Sequence, residues 1–480
     1  MSQAPTAKSL DPQDWDGLRA QAHRMLDDML DNLQGLSQRP LWQPPSPEQR
    51  RRYRADPPRA PQDLAQVHGQ FMADIAPYGS GNRHPGFMGW VQGGGTVVGM
   101  LAEMLAGGLD ANLGGRDHMP IEVERQVIAW MAEIFGFPAN ASGIFLTGTS
   151  TANLCAMLIA RDRTLGVQVR ADGVRDPGVA AYASKGVHGC IVRAMDMTGL
   201  GTHRLRLVET DADHRISLPA LKAAIAADRA NGIKPFLIVG SAGTVDVGAI
   251  DPLDGLADIA AAEGAVFHVD GALGALGVLA PQIAPQLKGI ERADSLALDF
   301  HKLGQVPYDA GFLLCRDPDA HKRTFSYGEA PYLRHAERGL AGGEWWPCDY
   351  GPDLSRSFRA LKVWFSLKTY GLDAIGQVAA QTCALARQLA ARIEAEPELE
   401  LMAPVGFNIV CFGYRGGDSA AIAADLQEAG RVAPSTTTLG ERTAIRAAIV
   451  NHRTGPDDIE ALVQGVLARG RTRAGASARA

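Results

Sequence analysis

From Trp15 to Leu36 the apolar residues Trp15, Leu18, Ala22, Met25, Leu26, Met29, Leu30, Leu33 and Leu36 recur at steps of three and four, the stripe of an amphipathic helix. Behind it, residues 39–61 are rich in Pro and Arg, which breaks regular structure and predicts an extended connector around one short helical turn. The middle of the chain alternates short β-branched or aromatic runs with Ala/Leu-rich stretches, the pattern of a mostly parallel sheet covered by helices. Candidate strands are 143–147, 189–193, 236–241, 265–270, 295–300 and 311–316, and candidate helices are 121–135, 152–163, 218–231 and 252–263. After Tyr350 the pattern changes to helices over 355–370 and 377–394, then short strands around 406–414 and 442–449. This predicts an α/β fold in four parts: an N-terminal helical arm over 1–83, a large domain over 84–354, a smaller C-terminal α+β domain over 355–470, and a disordered tail over 471–480.

Composition narrows the function classes. The 480 residues carry 47 Lys+Arg against 53 Asp+Glu, a net charge of −6, with 46% hydrophobic residues, which suits a globular protein of more than one core. That balance offers none of the clustered cations a nucleic-acid binder needs, so the expected partners are small molecules and other protein chains. The six cysteines are scattered without a C-x-x-C pair or a Cys/His spacing that closes a zinc site, so no metal is expected. Neither a basic-then-apolar leader nor an apolar window of about 18 residues occurs, which points to the cytoplasm and to no membrane partner.

In a parallel sheet, ligands gather at the carboxyl ends of strands. Thr147-Gly148-Thr149-Ser150-Thr151-Ala152-Asn153 closes a strand and opens a helix, where small hydroxyl residues and free N–H groups make an anion cradle. It is neither a Walker loop nor a dinucleotide fingerprint. Phe267-His268-Val269-Asp270 runs an apolar strand into a carboxylate that needs a cationic partner. Ser295-Leu-Ala-Leu-Asp-Phe-His301-Lys302 delivers a lysine able to attack a carbonyl, and Ser241-Ala-Gly-Thr244 is a fourth strand end. Taken singly, each has an ordinary reading: a helix cap for Asp270, a surface charge for Lys302, a satisfied polar residue for His301. Together they offer an anion site, a partner for a pyridinium nitrogen and an amine for an aldehyde, the requirements of pyridoxal 5'-phosphate.

At these residues the chain resembles the group II pyridoxal-phosphate-dependent amino acid decarboxylases, the family of aromatic-L-amino-acid and glutamate decarboxylases. The likeness runs through His84-Pro85 to Thr96, Asn112-Leu113-Gly114-Gly115, Glu122-x-Glu124-Arg125-Gln126, the cradle, Tyr182 to Gly199, Gly243-Thr244 to Pro252, His268-Val269-Asp270-Gly271-Ala272, His301-Lys302, Tyr332-Leu333-Arg334-His335 and Arg356 to Lys362. It implies the fold type I of pyridoxal-phosphate transferases and decarboxylation of an L-amino acid, with an aromatic side chain, to the amine and CO₂ through a quinonoid intermediate. By the same resemblance Lys302 bonds the cofactor aldehyde, Asp270 bonds its ring nitrogen and His188 stacks on the ring. Thr149, Ser150 and His301 contact the phosphate, Thr244 lies near the lysine bond, and Ala272 completes the cofactor site. His84, Trp90 and Gly93 fall on the substrate side.

Residues 325–346, with Gly328, Gly339, Gly342 and Gly343 around an aromatic and polar centre, read as a lid with permissive hinges. In the family such a lid carries a tyrosine across a dimer interface to protonate the substrate carbon, and Tyr332 is the matching residue. The amphipathic arm resembles the family's exchanged helical segment, so a homodimer with shared active sites is implied. Trp90 to Gly95 and Thr151 depart from the animal aromatic enzymes, and Arg116-Asp117-His118 is a further stretch that could border the pocket. The alternatives are a decarboxylase acting on glutamate, aspartate or a sulfinate, and an aldehyde synthase on the same scaffold. A non-catalytic homologue is expected to lack Lys302 or Asp270, and both are present. A dehydrogenase is disfavoured by the missing glycine fingerprint and by the spacing of Tyr182 and Lys185.

Overall fold

The computed structural model describes residues 9–175, 178–326 and 334–477. The chain divides into two units, Met1–Gly81 and Asn82–Ala480. In the first, the amphipathic stripe forms α1 (Trp15–Gln34), started by Asp14, whose carboxylate accepts from the Gly17 N–H. The Pro/Arg-rich connector holds one short helix, α2 (Pro47–Arg52), opened by a reciprocal Ser46–Gln49 capping box. α3 (Leu64–Asp74) follows, and its His68 meets Gln21 of α1 at 3.2 Å.

The second unit opens with a two-residue strand, β1 (Phe87–Met88), and two helices, α4 (Val97–Leu109) and α5 (Met119–Ile134). Strand and helix then alternate through β2 (Ser142–Leu146), α6 (Thr149–Leu165), α7 (Val169–Asp172), β3 (Val179–Ser184), α8 (Gly189–Met197) and β4 (Leu205–Val208). The alternation continues with α9 (Leu218–Ala230), β5 (Lys234–Ser241), α10 (Leu253–Glu263), β6 (Val266–Asp270), β7 (Ser295–Asp299), β8 (Gly311–Cys315) and α11 (Pro318–Phe325). The long α12 (Arg359–Glu394) leads into β9 (Leu399–Leu401), β10 (Ile409–Tyr414), α13 (Ser419–Ala429), β11 (Ala433–Leu439), β12 (Arg442–Ala448) and α14 (Pro456–Ser477).

Seven strands form the large sheet in the order β2-β8-β7-β6-β5-β3-β4, with β8 antiparallel to the rest. Both faces are covered, as a parallel sheet requires. Ala181, Ala183, Leu237 and Val239 face α6 and α8, while the alternate residues Ala180, Tyr182 and Ile238 face the core shared with α5, α9 and α10. The small sheet has the order β1-β11-β12-β10-β9 and packs on Leu385, Leu389 and Ile393 of α12 and on the apolar faces of α13 and α14. This is the architecture of fold type I.

Several expectations are corrected. The segment 189–193, read as a strand, is the first half of α8, because Ile191, Ala194 and Met195 recur at helical spacing and His188 caps the helix by accepting from the Cys190 N–H. The two helices expected over 355–370 and 377–394 are both present within the span α12, which starts at Arg359 rather than at 355 and is interrupted at Gly371, whose non-helical φ of 77° suits glycine. Residues 471–477, expected as a disordered tail, continue α14 to Ser477. β1, β3, β4, β9 and β11 were not anticipated.

Candidate active site

The carboxyl ends of β2, β3, β5, β6 and β7 open on one cavity of about 500 Å³. Thr149 and Ser150 reach it from the start of α6, His188 from the start of α8, and Thr244 from the loop after β5. Asp270 ends β6, Ala272 follows it, and His301 and Lys302 come from the turn after β7. Trp90 and Val91, after β1, line another part of the wall, with Ser435, Thr436 and Arg446 of the small sheet. The topology therefore brings together residues spread over most of the second unit, at the sheet edge where parallel strands present their ligands.

Asp270 is buried. Its Oδ1 accepts from the Ala272 N–H at 3.1 Å and its Oδ2 from the Asn153 amide at 3.0 Å. Asn153 Oδ1 lies 2.8 Å from His268 Nε2, and His268 Nδ1 lies 2.9 Å from Ser295 Oγ. Burial pushes the His268 pKa down to about 4, so the ring is neutral at pH 7.

Lys302 Nζ is 2.8 Å from Asp299 Oδ2, and the Thr149 N–H donates to Asp299 Oδ1 at 2.8 Å. Burial works against the Asp299 anion, but the Lys302 ammonium and the His301 ring outweigh it and hold the carboxyl below the usual carboxylate range. His301 Nδ1 accepts from the Ala310 N–H at 3.0 Å, and its ring lies against Tyr308 with centroids 4.3 Å apart. Behind this turn, Gly93 donates its N–H to the His301 carbonyl, and a Cβ on Gly93 would come within 2.4 Å of the Lys302 carbonyl oxygen. Glycine there lets the chain seat the lysine.

These residues fit a phosphorylated pyridine aldehyde. The Thr149 hydroxyl is buried at the cavity wall without a hydrogen-bond partner among the described residues, and Gly148 gives α6 no side-chain cap. An anion at this 17-residue helix start would meet the Thr149 hydroxyl and a positive dipole end, beside the Asp299 carboxylate, whose charge Lys302 offsets. The Asp270 carboxylate and the Lys302 amine line the same space.

His84 does not line the cavity: it is buried elsewhere, and its Nδ1 accepts from the Gly86 N–H at 3.0 Å. Tyr332 lies outside the described residues, as do Gly328 and Leu333. Arg116, Asp117 and His118 are not on this wall either. Arg116 sits 4.5 Å over the Trp346 ring, which also stacks on His335 with centroids 3.9 Å apart and donates its indole N–H to the Gly342 carbonyl, and the Asp117 N–H donates to Leu340 O, so this stretch anchors the far end of the expected lid.

Three site residues escaped the sequence reading. Asp299 stood in a quoted segment and shows the same apolar-strand-to-carboxylate pattern as Asp270, a signal that was there to use. Asn153 closes the cradle segment, but nothing local there marks its bond to Asp270, and Arg446 carries no comparable local signal. The Arg446 guanidinium is buried and donates to the carbonyls of Val245, Asp246 and Trp90 and to Ser435 Oγ, tying three walls of the cavity together.

The family described as the pyridoxal-dependent decarboxylase conserved domain matches residues 47–415. Aromatic-L-amino-acid decarboxylase of Bacillus atrophaeus is 34% identical over 403 residues, 80% of this chain and 81% of that one. L-2,4-diaminobutyrate decarboxylase of Rhizobium meliloti (strain 1021) is 30% identical over 404 residues, 80% and 77% of the two chains. Phenylacetaldehyde synthase of Arabidopsis thaliana is 27% identical over 418 residues, 85% and 84%. Among solved structures, Oryza sativa TDC with PLP and tryptamine superposes with a TM-score of 0.87 at 22% identity, covering 96% of this chain and all of that one, a likeness of fold.

Proposed function

The chain belongs to the pyridoxal-dependent decarboxylase family, and on that premise we propose that it converts an aromatic L-amino acid into its amine and CO₂. It is a pyridoxal 5'-phosphate enzyme acting on an amino acid. One observation carries the site assignment: a lysine, a carboxylate and the start of the 17-residue helix α6, with the buried Thr149 hydroxyl, share one cavity.

In this reading Thr149, Ser150 and His301 hold the phosphate, Asp270 holds the proton on the ring nitrogen, and His188 covers the ring. Lys302 Nζ holds the aldehyde carbon, with Thr244 and Ala272 bordering that end. When bound, pyridoxal phosphate supplies an electron-accepting ring conjugated to the carbon that loses CO₂. Asp270, whose carboxylate oxygens accept from the Asn153 amide and the Ala272 N–H, would pair with the protonated ring nitrogen. Tyr332 delivers the proton to the carbon from which CO₂ has left, which makes the product an amine rather than an aldehyde.

The aromatic preference is supported by the first relative named above and by the wall itself. Trp90, Val91, Leu273 and Tyr308 offer aromatic and apolar surface, and His84 and Gly93 support the segment that carries Trp90. Asp246 and Asp299 also line the cavity, and Arg446 is committed to carbonyls, so an acidic side chain would meet carboxylates without a spare guanidinium. The purified holoenzyme given a panel of L-amino acids should release CO₂ and amine fastest from an aromatic member. Faster turnover of glutamate, aspartate or 2,4-diaminobutyrate would overturn the preference.

We further propose a homodimer in the cytoplasm. In the first unit α3 and the residue after it expose Leu64, Val67, Phe71 and Ile75, and in the second α4 exposes Met104, Leu105 and Leu109. Apolar rows of this kind need a partner surface, and the arm over 1–83 is proposed to supply part of it. Among the described residues no helix is long and apolar enough to cross a membrane, and the six cysteines are free thiols, as in a reducing compartment.

A further inference from the structure

We propose that Ser295, His268 and Asn153 form a one-directional hydrogen-bond relay whose task is to hold the Asp270 carboxylate aimed at the cavity. This inference rests on the reading of Asp270 as the partner of the cofactor's ring nitrogen.

The direction of the relay follows from the carboxylate. An ionised carboxylate only accepts, so the Asn153 group 3.0 Å from Asp270 Oδ2 is the amide N–H₂. The second amide hydrogen has an acceptor of its own, Cys190 Sγ at 3.3 Å. Asn153 Oδ1 then faces His268 Nε2 at 2.8 Å, and that nitrogen must carry the imidazole proton. His268 Nδ1 is left as an acceptor, and Ser295 Oγ, 2.9 Å away, must donate to it. Every donor in the chain points toward Asp270.

The fold explains why these residues meet. His268 and Asp270 are two apart on β6 and so share the face covered by α6, where Asn153 sits one turn in. Ser295 is the register partner of His268 on the neighbouring β7. All four are buried, so the relay is closed to water and its members cannot exchange partners cheaply. If His268 loses its N–H, the Asn153 amide is free to turn its oxygen toward the carboxylate. Asn153 is therefore a positioning residue for Asp270, and His268 and Ser295 are positioning residues for Asn153.

The test compares Asn153→Leu, His268→Phe and Ser295→Ala in the wild-type and Asp270→Asn backgrounds. Two readouts serve: the dissociation constant of pyridoxal phosphate from titrated apoenzyme, and the visible absorption of the bound cofactor as a function of pH. Asn153→Leu should weaken cofactor binding about tenfold, the size of one hydrogen bond to a charged group, and lower kcat more than it alters KM. Ser295→Ala, which removes one oxygen and keeps the packing, should act in the same direction by about threefold. In the Asp270→Asn background both effects should fall below about twofold, because the group they act through is gone. Equal losses in the two backgrounds, or a normal cofactor spectrum and affinity in both Asn153→Leu and Ser295→Ala, would overturn the relay. Wild-type activity and spectrum in Asp270→Asn alone would instead overturn the reading of Asp270 on which it rests.

Discussion

Lys302 pairs with Asp299 at 2.8 Å at the cavity wall, so its replacement removes the reactive amine and also leaves the buried Asp299 carboxylate without its ammonium partner. Lys302→Ala should abolish turnover and leave no cofactor adduct that borohydride can fix to the chain; a fixed adduct on that variant would mean another amine is used. Both Lys302 and Asp270 are legible in the sequence because a charged group at the end of an apolar strand is costly unless it has a task. Asn153 and Arg446 are not legible, since a polar residue within a helix or strand is ordinary until the tertiary fold shows what it bonds. The buried histidines make a second residue-scale prediction. His321, with Nδ1 2.9 Å from Ser142 Oγ and Nε2 2.7 Å from the Tyr350 carbonyl, is pushed by burial from 6.5 to about 4, like His268. The unfolded chain takes up these protons before the folded one, so the contribution is present above pH 6.5 and is lost as pH falls toward 4. Asp251, pushed up to about 6 by burial, works in the opposite sense, so the histidine term is best read by difference. The stability gap between wild type and His321→Gln in urea should shrink from pH 7 to pH 5, and a gap that stays constant would mean the ring is not buried neutral.

At the scale of elements, the errors of sequence reading have a shared cause. Residues 189–193 include the adjacent β-branched pair Ile191-Val192 and look like a strand, while β3, Val-Ala-Ala-Tyr-Ala-Ser, is poor in β-branched residues and looks like anything else. Burial on both faces of the sheet removes the alternation that would have marked β3, and the His188 cap decides the start of α8. Other stretches were picked out by family resemblance before their physical role was visible. Glu124 of α5 and Arg356, just before α12, are both fully buried and bonded to each other. Arg356 also donates to the carbonyls of Leu113 and Phe145, and the Phe145 N–H donates to Glu124, so the pair staples β2, α5 and the chain entering α12. Removing one member leaves the other charge buried without compensation. Arg356→Met should therefore destabilise the protein by about 3–5 kcal/mol in urea denaturation. A loss below about 1 kcal/mol, the size of a surface pair, would show that the staple is dispensable.

At the scale of the whole molecule, the cavity holds every group proposed to bind the cofactor, while the proposed proton donor Tyr332 belongs to a stretch outside the described residues. The described residues of that stretch do not line the cavity, and Trp346 is held between Arg116 and His335. If Tyr332 serves the partner's cavity, two variants that fail for different reasons should rescue each other. Lys302→Ala chains keep Tyr332 and lose their own cavity; Tyr332→Phe chains keep the cavity and lose the phenol that delivers the proton, so in air they should yield aldehyde, ammonia and peroxide in place of amine. When equal amounts of the two are refolded together, about half of the dimers are hybrids by chance, and each hybrid has one cavity with its own Lys302 facing a partner's Tyr332. Amine formation should then return to about one quarter of the wild-type rate, half of the dimers with one intact site in two. Differently tagged chains allow the hybrids to be isolated and assayed alone, where the expected rate is about half. Amine output from isolated hybrids no higher than the sum of the two parents would mean that each chain uses its own tyrosine or another donor, and the shared site would have to be given up.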